Sequence, residues 1–281
     1  MRIGGAVTKP YHNPEEWIAQ VRELAYSTVS NPVDAHASSE EKKAYMDCIR
    51  RHDLTIGEVG VWKNTLSPDD TERRAAVAFA KEQLALAEEL GAACCVNISG
   101  ARGEAWDGCY AENYTQDAYA LLVDTVREII DSVKPKITFY TLEPMPWMHP
   151  DSPDDYLRLI HDIDRAQFGV HLDYANLINS IQKYIYSSAF VEECFEKLGP
   201  YIKSIHAKDV ALDGLPCRLR ECNPGMGTID FANVLRLTQK LGDDTPLFVE
   251  HMSLHEEFLE AVDHLRKIAD REGIPIKYMK D

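Results

Sequence analysis

The sequence predicts an α/β fold, a (β/α)8 TIM barrel forming one domain over residues 1–281. Short apolar runs alternate with longer amphipathic stretches eight times, and no linker or low-complexity segment divides the chain. No GxGxxG turn follows the first apolar run, which counts against a doubly wound dinucleotide-binding sheet. The 281 residues suit a barrel, which typically uses about 250 as one domain.

The first strand is expected over Arg2–Val7 and its helix over Pro14–Ala25, where Asn13 before proline is an N-cap signature. Strand two, Tyr26–Val29, is followed by a helix over Ser39–His52. Strand three, Thr55–Val61, leads to a helix over Pro68–Leu90, capped by Ser67 and stopped at Gly91. Strand four, Ala93–Ile98, precedes the helix Gln116–Val133, and strand five, Ile137–Glu143, precedes Pro153–Ile163. Strand six, Phe168–Asp173, is paired with a helix over Ala189–Leu198 that Gly199 ends. Strand seven, Ile202–His206, is followed by an inserted loop over Asp209–Thr228 and the helix Phe231–Leu241. Strand eight, Leu247–Glu250, leads to the last helix, His255–Arg271.

Composition narrows the function. Thirty Lys plus Arg against 46 Asp plus Glu give a formal charge of −16, which repels phosphate backbones and anionic lipid, so neither nucleic acid nor membrane is expected as a partner. The seven cysteines include no CxxC, which argues against a disulfide framework and a thiolate zinc site. With no signal-peptide pattern and no apolar run near 20 residues, a cytoplasmic location is expected.

In a barrel the C-terminal strand ends meet at one rim. Strand five closes with Glu143, strand six with Asp173, strand seven with His206 and strand eight with Glu250, separated by 30, 33 and 44 residues. All four sit at one phase of the repeat. Three carboxylates and an imidazole on an apolar rim repel and raise one another's pKa values unless a positive charge sits among them. One divalent cation meets that need, and this donor set suits Mn²⁺ first, then Mg²⁺ or Co²⁺.

Five stretches, LEPMPWMHP (142–150), GVHLDYANL (169–177), IHAKD (205–209), NPGMGTIDF (223–231) and VEHM (249–252), resemble the sugar phosphate isomerase/epimerase family of xylose isomerase-like TIM barrels. The resemblance implies metal ligation by Glu143, Asp173, His206 and Glu250, with the two glutamates as acid/base pair, one on each face of a sugar. The expected chemistry is removal of a proton beside a metal-bound sugar carbonyl, leading to epimerisation, isomerisation or elimination. EPMPWMHPDSPDDY (143–156) and HLDYANLINS (171–180) look similar to the barrel subunit of bacterial C-glycoside deglycosidases. This resemblance implies cleavage of the C–C bond of 3-oxo C-glucosides of flavonoid type, with a small β-sandwich partner subunit in a hetero-oligomer. A ketose 3-epimerase or sugar isomerase, forming homo-oligomers, is the alternative. A non-catalytic carbohydrate-binding barrel ranks below both.

The chain departs from the free-ketose epimerases, whose usual histidine after the metal aspartate is here Asn176, and whose compact Glu-x-Asn-Arg motif gives way to a longer stretch with Arg218, Arg220 and Glu221. His149 is expected as a further acid/base, Trp147 and Trp62 as walls for a flat aglycone, and Asn97 and Lys208 as partners of sugar hydroxyls. Strand alternation points His251 away from the barrel interior, with the rim still within its reach from the strand end.

Overall fold

A computed structural model of the chain describes residues 1–214 and 217–280. Its elements run β1 (Arg2–Gly5), α1 (Pro14–Glu23), β2 (Thr28–Ser30), α2 (Ser39–Arg51), β3 (Thr55–Gly60), α3 (Asp70–Leu90), β4 (Cys94–Asn97), α4 (Gln116–Val133) and β5 (Phe139–Leu142). They continue with α5 (Pro153–Ile163), β6 (Phe168–Asp173), α6 (Tyr174–Leu177), α7 (Ile181–Ile185), α8 (Ser187–Leu198), β7 (Ile202–Ala207), β8 (Asp209–Asp213), β9 (Arg218–Cys222), α9 (Phe231–Leu241), β10 (Pro246–Val249) and α10 (His255–Glu272). Eight strands form one parallel sheet in the order β1-β10-β7-β6-β5-β4-β3-β2, the (β/α)8 barrel expected.

The β1/β2 seam is closed by fewer bonds than the ladders elsewhere. The Ser27 N–H donates to Ile3 O at 2.8 Å, and the Ile3 N–H donates to Ser27 Oγ at 3.2 Å. Beneath the seam, the buried Arg2 donates to Ser27 O at 3.2 Å and pairs with Asp244 and Asp53 at 2.6 and 3.2 Å. One side chain thus ties the start of β1 to the turns before β10 and β3. No helix among the described residues is long and apolar enough to cross a membrane.

Three local expectations are corrected. Helix α3 starts at Asp70 instead of Pro68 because Asp69, not Ser67, is its cap, its carboxylate accepting from Thr71 N and Glu72 N at 2.8 and 2.9 Å. Helix α8 starts at Ser187, two residues ahead of the expected Ala189, and ends at Gly199 as expected, with Gly199 right-handed and opening a 3-10 turn. The segment read as a loop after strand seven contains an antiparallel hairpin, β8 and β9, paired from Asp209↔Cys222 to Asp213↔Arg218. Residues 215 and 216 within it lie outside the described residues.

Candidate metal centre

Each of the four predicted ligands is set by the end of its strand. Glu143 follows β5 directly, its N–H donating to Asn97 O at 2.8 Å. Asp173 ends β6 and caps α6, Oδ1 accepting from Asn176 N at 3.0 Å, which turns Oδ2 inward. His206 lies in β7, and Glu250 follows β10. One ligand atom from each of the four lies within 4.8 Å of the others. His206 Nδ1 is 2.9 Å from Glu250 Oε2, 3.2 Å from Glu143 Oε1 and 3.7 Å from Asp173 Oδ2.

The donor set fits a divalent cation. Asp173 Oδ2 and Glu250 Oε2 are buried without a hydrogen-bond partner among the described residues, an arrangement that native proteins seldom leave uncompensated. The Lys208 ammonium lies 2.7 and 2.9 Å from them and 3.5 Å from Glu143 Oε1, supplying part of the compensating charge. Three carboxylate oxygens and one imidazole nitrogen around a point are hard, mostly oxygen ligation.

The electrostatics follow from this crowding. Burial pushes the Glu143 carboxyl up to about 7, against the pull of His206 and Lys208. Burial acts in the same sense on Asp173 and Glu250, but there Lys208 and His206 outweigh it and hold both carboxyls below their usual range. For His206, burial is outweighed by Glu250 and Glu143, which push the imidazole pKa above its usual range. His171, in the layer below, is driven the opposite way by burial and by His206.

Above the cluster lies a cavity of about 130 Å³ walled by Trp62, Trp106, Met145, Asn176, Glu221 and His251, among others. Asn176 Nδ2 donates to Glu143 Oε1 at 3.2 Å and to Pro144 O at 3.0 Å, fixing the first glutamate. Trp62 has a left-handed φ of 50°, which folds its indole back over Gly60; a Cβ built there would lie 2.1 Å from the indole nitrogen. A left-handed φ of 66° likewise turns His251 to the cavity, correcting the alternation argument, and its Nδ1 pairs with Glu221. Trp62 and Trp106 are shared with a neighbouring cavity of about 570 Å³ that also includes Lys63, Asn64 and Phe79.

Trp62, Asn176, Lys208 and Glu221 are therefore gathered at the cluster with Glu143, Asp173, His206 and Glu250. Other predicted residues are held elsewhere. His149 Nδ1 is bonded to Asp155 at 2.6 Å, its ring meets the edges of Tyr114 and Tyr119, and it does not line the cavity. The Trp147 indole donates to Asp107 O at 2.7 Å. Both ends of the buried Asn97 amide are occupied by the Lys63 backbone, at 3.0 and 3.2 Å, so it shapes the loop bearing Trp62 instead of presenting a free donor. Arg218 and Arg220 are exposed and pair with Asp213 at 2.9 and 3.2 Å along the hairpin. Asp209, beside Lys208, accepts from the N–H groups of Val210, Gly225, Gly227 and Ile229 at 2.8 to 3.0 Å, and a Cβ at Gly227 would lie 2.3 Å from Asp209 Oδ1. The sequence reading missed Trp106, which sits in a loop without periodicity, and Glu58, a single acid inside β3.

Solved structures share the fold at low identity. A xylose isomerase-like TIM barrel protein from Mycobacterium smegmatis, in complex with magnesium, is 18% identical with a TM-score of 0.68, covering 93% of this chain and 90% of that one. D-psicose 3-epimerase from Clostridium cellulolyticum H10, with D-tagatose, is 15% identical with a TM-score of 0.68, covering 95% and 99%. The 3-keto-D-glucoside 4-epimerase from E. coli is 13% identical with a TM-score of 0.68, covering 95% and 99%. A search of curated protein sequences finds no match. The model of one family, described as xylose isomerase-like TIM barrel, matches residues 18–268, and the chain belongs to that family.

Proposed function

We propose that this chain is a metal-dependent enzyme that removes a proton from the carbon beside the carbonyl of a keto sugar and returns one, as an epimerase or isomerase. The observation that carries this reading is the convergence of Glu143, Asp173, His206 and Glu250 within 4.8 Å beneath an open cavity. These four residues would hold the ion, Mn²⁺, Mg²⁺ or Co²⁺. When bound, such an ion polarises a carbonyl and stabilises the charge left by proton loss. Glu143 and Glu250 exchange protons with the two faces of the sugar. Asn176 holds Glu143, and Lys208 supplies fixed positive charge beside the developing oxyanion. D-psicose 3-epimerase and 3-keto-D-glucoside 4-epimerase, which share the fold, act on sugars in this class and support the reading.

Elimination from a 3-oxo C-glycoside is a second reading, favoured by the adjoining cavity of about 570 Å³ with Trp62, Trp106 and Phe79 in its walls. There the C2–H bond breaks, the C1=C2 bond forms, the C1–aryl bond breaks and the aryl carbon takes a proton. His251, which lines the cavity and pairs with Glu221, would deliver it. A small β-sandwich partner subunit belongs to this reading alone, and co-expression with such a subunit tests it.

The deciding experiment incubates manganese-loaded protein in D₂O with ketoses, 3-keto glucosides and 3-oxo-puerarin. Deuterium entering the carbon next to the carbonyl, with loss of at least about 10²-fold in Asp173→Ala, is the expected outcome. Release of free aglycone selects the second reading. Neither exchange nor aglycone release with any of these substrates overturns both.

A further inference from the structure

Below the metal cluster lies a second polar layer that the proposed reaction does not use. Glu58 is buried in the middle of β3, and its Oε1 accepts a hydrogen bond from Ser30 Oγ at 3.0 Å. Its Oε2 has no hydrogen-bond partner among the described residues and lies 3.5 Å from His206 Nε2 and 3.8 Å from His171 Nδ1. The His206 ring is thus set between two groups of carboxylates. Its Nδ1 faces Glu143, Asp173 and Glu250, while its Nε2 faces Glu58.

An imidazole offers a lone pair to a cation through one nitrogen only when its proton sits on the other. A carboxylate facing that second nitrogen fixes the proton there and strengthens the donor. Two imidazoles compete for Glu58, and His206 is the nearer. His171 is fully buried with both nitrogens unpartnered among the described residues, and its ring stands edge-on to His206 with 4.0 Å between centroids.

We propose that Glu58 is a positioning residue for His206, holding the imidazole with Nε2 toward β3 so that Nδ1 completes the metal cluster. Ser30 on β2 fixes Glu58 in turn, so the ligand orientation of β7 is set from across the barrel. This inference rests on the metal centre proposed above.

The test is a manganese titration of the full chain, stripped with chelator, by electron paramagnetic resonance and calorimetry. Wild type, Glu58→Leu, Glu58→Gln and Asp173→Ala are compared. Glu58→Leu is expected to weaken Mn²⁺ binding by about 10- to 100-fold with an unchanged circular dichroism spectrum. Glu58→Gln, which keeps an acceptor oxygen facing Nε2, is expected to recover most of that loss. Wild-type affinity in Glu58→Leu beside lost binding in Asp173→Ala overturns the role of Glu58 alone. Intact binding in Asp173→Ala overturns the metal centre and Glu58's role together. Two manganese ions per wild-type chain, the second among Glu58, His171 and His206, or a Glu58→Gln as weak as Glu58→Leu, also overturns the positioning role. If Glu58→Leu does not fold, nitrogen-15 spectra of histidine-labelled, magnesium-loaded wild type decide. A proton on Nε2 of His206 is expected, and a proton on Nδ1 overturns the inference.

Discussion

Gly60 is a small residue with a large influence on the cavity above the metal cluster. Its missing side chain is the space into which the Trp62 indole folds. Gly60→Ala is expected to push the indole out of the wall, raising KM for the substrate by about tenfold while kcat stays within about threefold, because the loss of about 1.4 kcal/mol falls on binding and not on the reacting atoms. Steady-state kinetics measure the split. At this scale the convergence of Glu143, Asp173, His206 and Glu250 was legible in the sequence because acids and a histidine recur at matching strand ends. Glu58 was not, since one acid within TIGEVG reads like an outward-facing strand residue until the barrel brings His206 against it. His251 was misread because alternation holds only while the backbone stays extended, and its φ is left-handed.

Among the elements, the α3 to β5 junction depends on one carboxylate. Glu88, near the end of α3, accepts the N–H groups of Lys136, Ile137 and Thr138 at 3.0, 2.9 and 3.0 Å. Burial pushes its carboxyl up, but these three donors outweigh it and hold it below its usual value. A lowered folded-state pKa gives stability that is present above the unfolded value, about 4.3, and is lost as pH falls through the folded value. Glu88→Ala is therefore expected to cost about 1–3 kcal/mol at pH 7 by leaving donors unpaired. Urea denaturation should show the difference from wild type shrinking below pH 4. Asp209 has a similar task in the loop after β9, and Asp209→Ala is expected to destabilise the protein by about 3 kcal/mol through four N–H groups left without their acceptor. Strands and helices were readable from apolar period and caps. The β8–β9 hairpin was not, because only three of its ten strand residues are buried and β9 mixes Arg, Leu and Glu ahead of the buried Cys222, so no apolar period marks it.

For the whole molecule, the weak place is the seam between the first two strands. The barrel order predicted from eight repeats is observed, yet nothing in the repeats indicated how the ends would meet. That depends on Ser27 and on Arg2, whose guanidinium reaches from the first turn of the chain to Asp244 and Asp53. Arg2→Met keeps the apolar stem and removes the bonds. The expected loss is about 2 kcal/mol, measured by thermal unfolding, with fast hydrogen exchange appearing first at the amides of β1 and β2.

The hairpin carrying Glu221 has a further consequence. The four converging acid and imidazole groups stand on barrel staves, whereas one wall of the space over them, Glu221, hangs on an appendage with its own private ladder of hydrogen bonds. Appetite and reactivity are thereby assigned to separable parts, so grafting a hairpin of another length onto this scaffold should retune which molecules are admitted while the machinery beneath stays as it was.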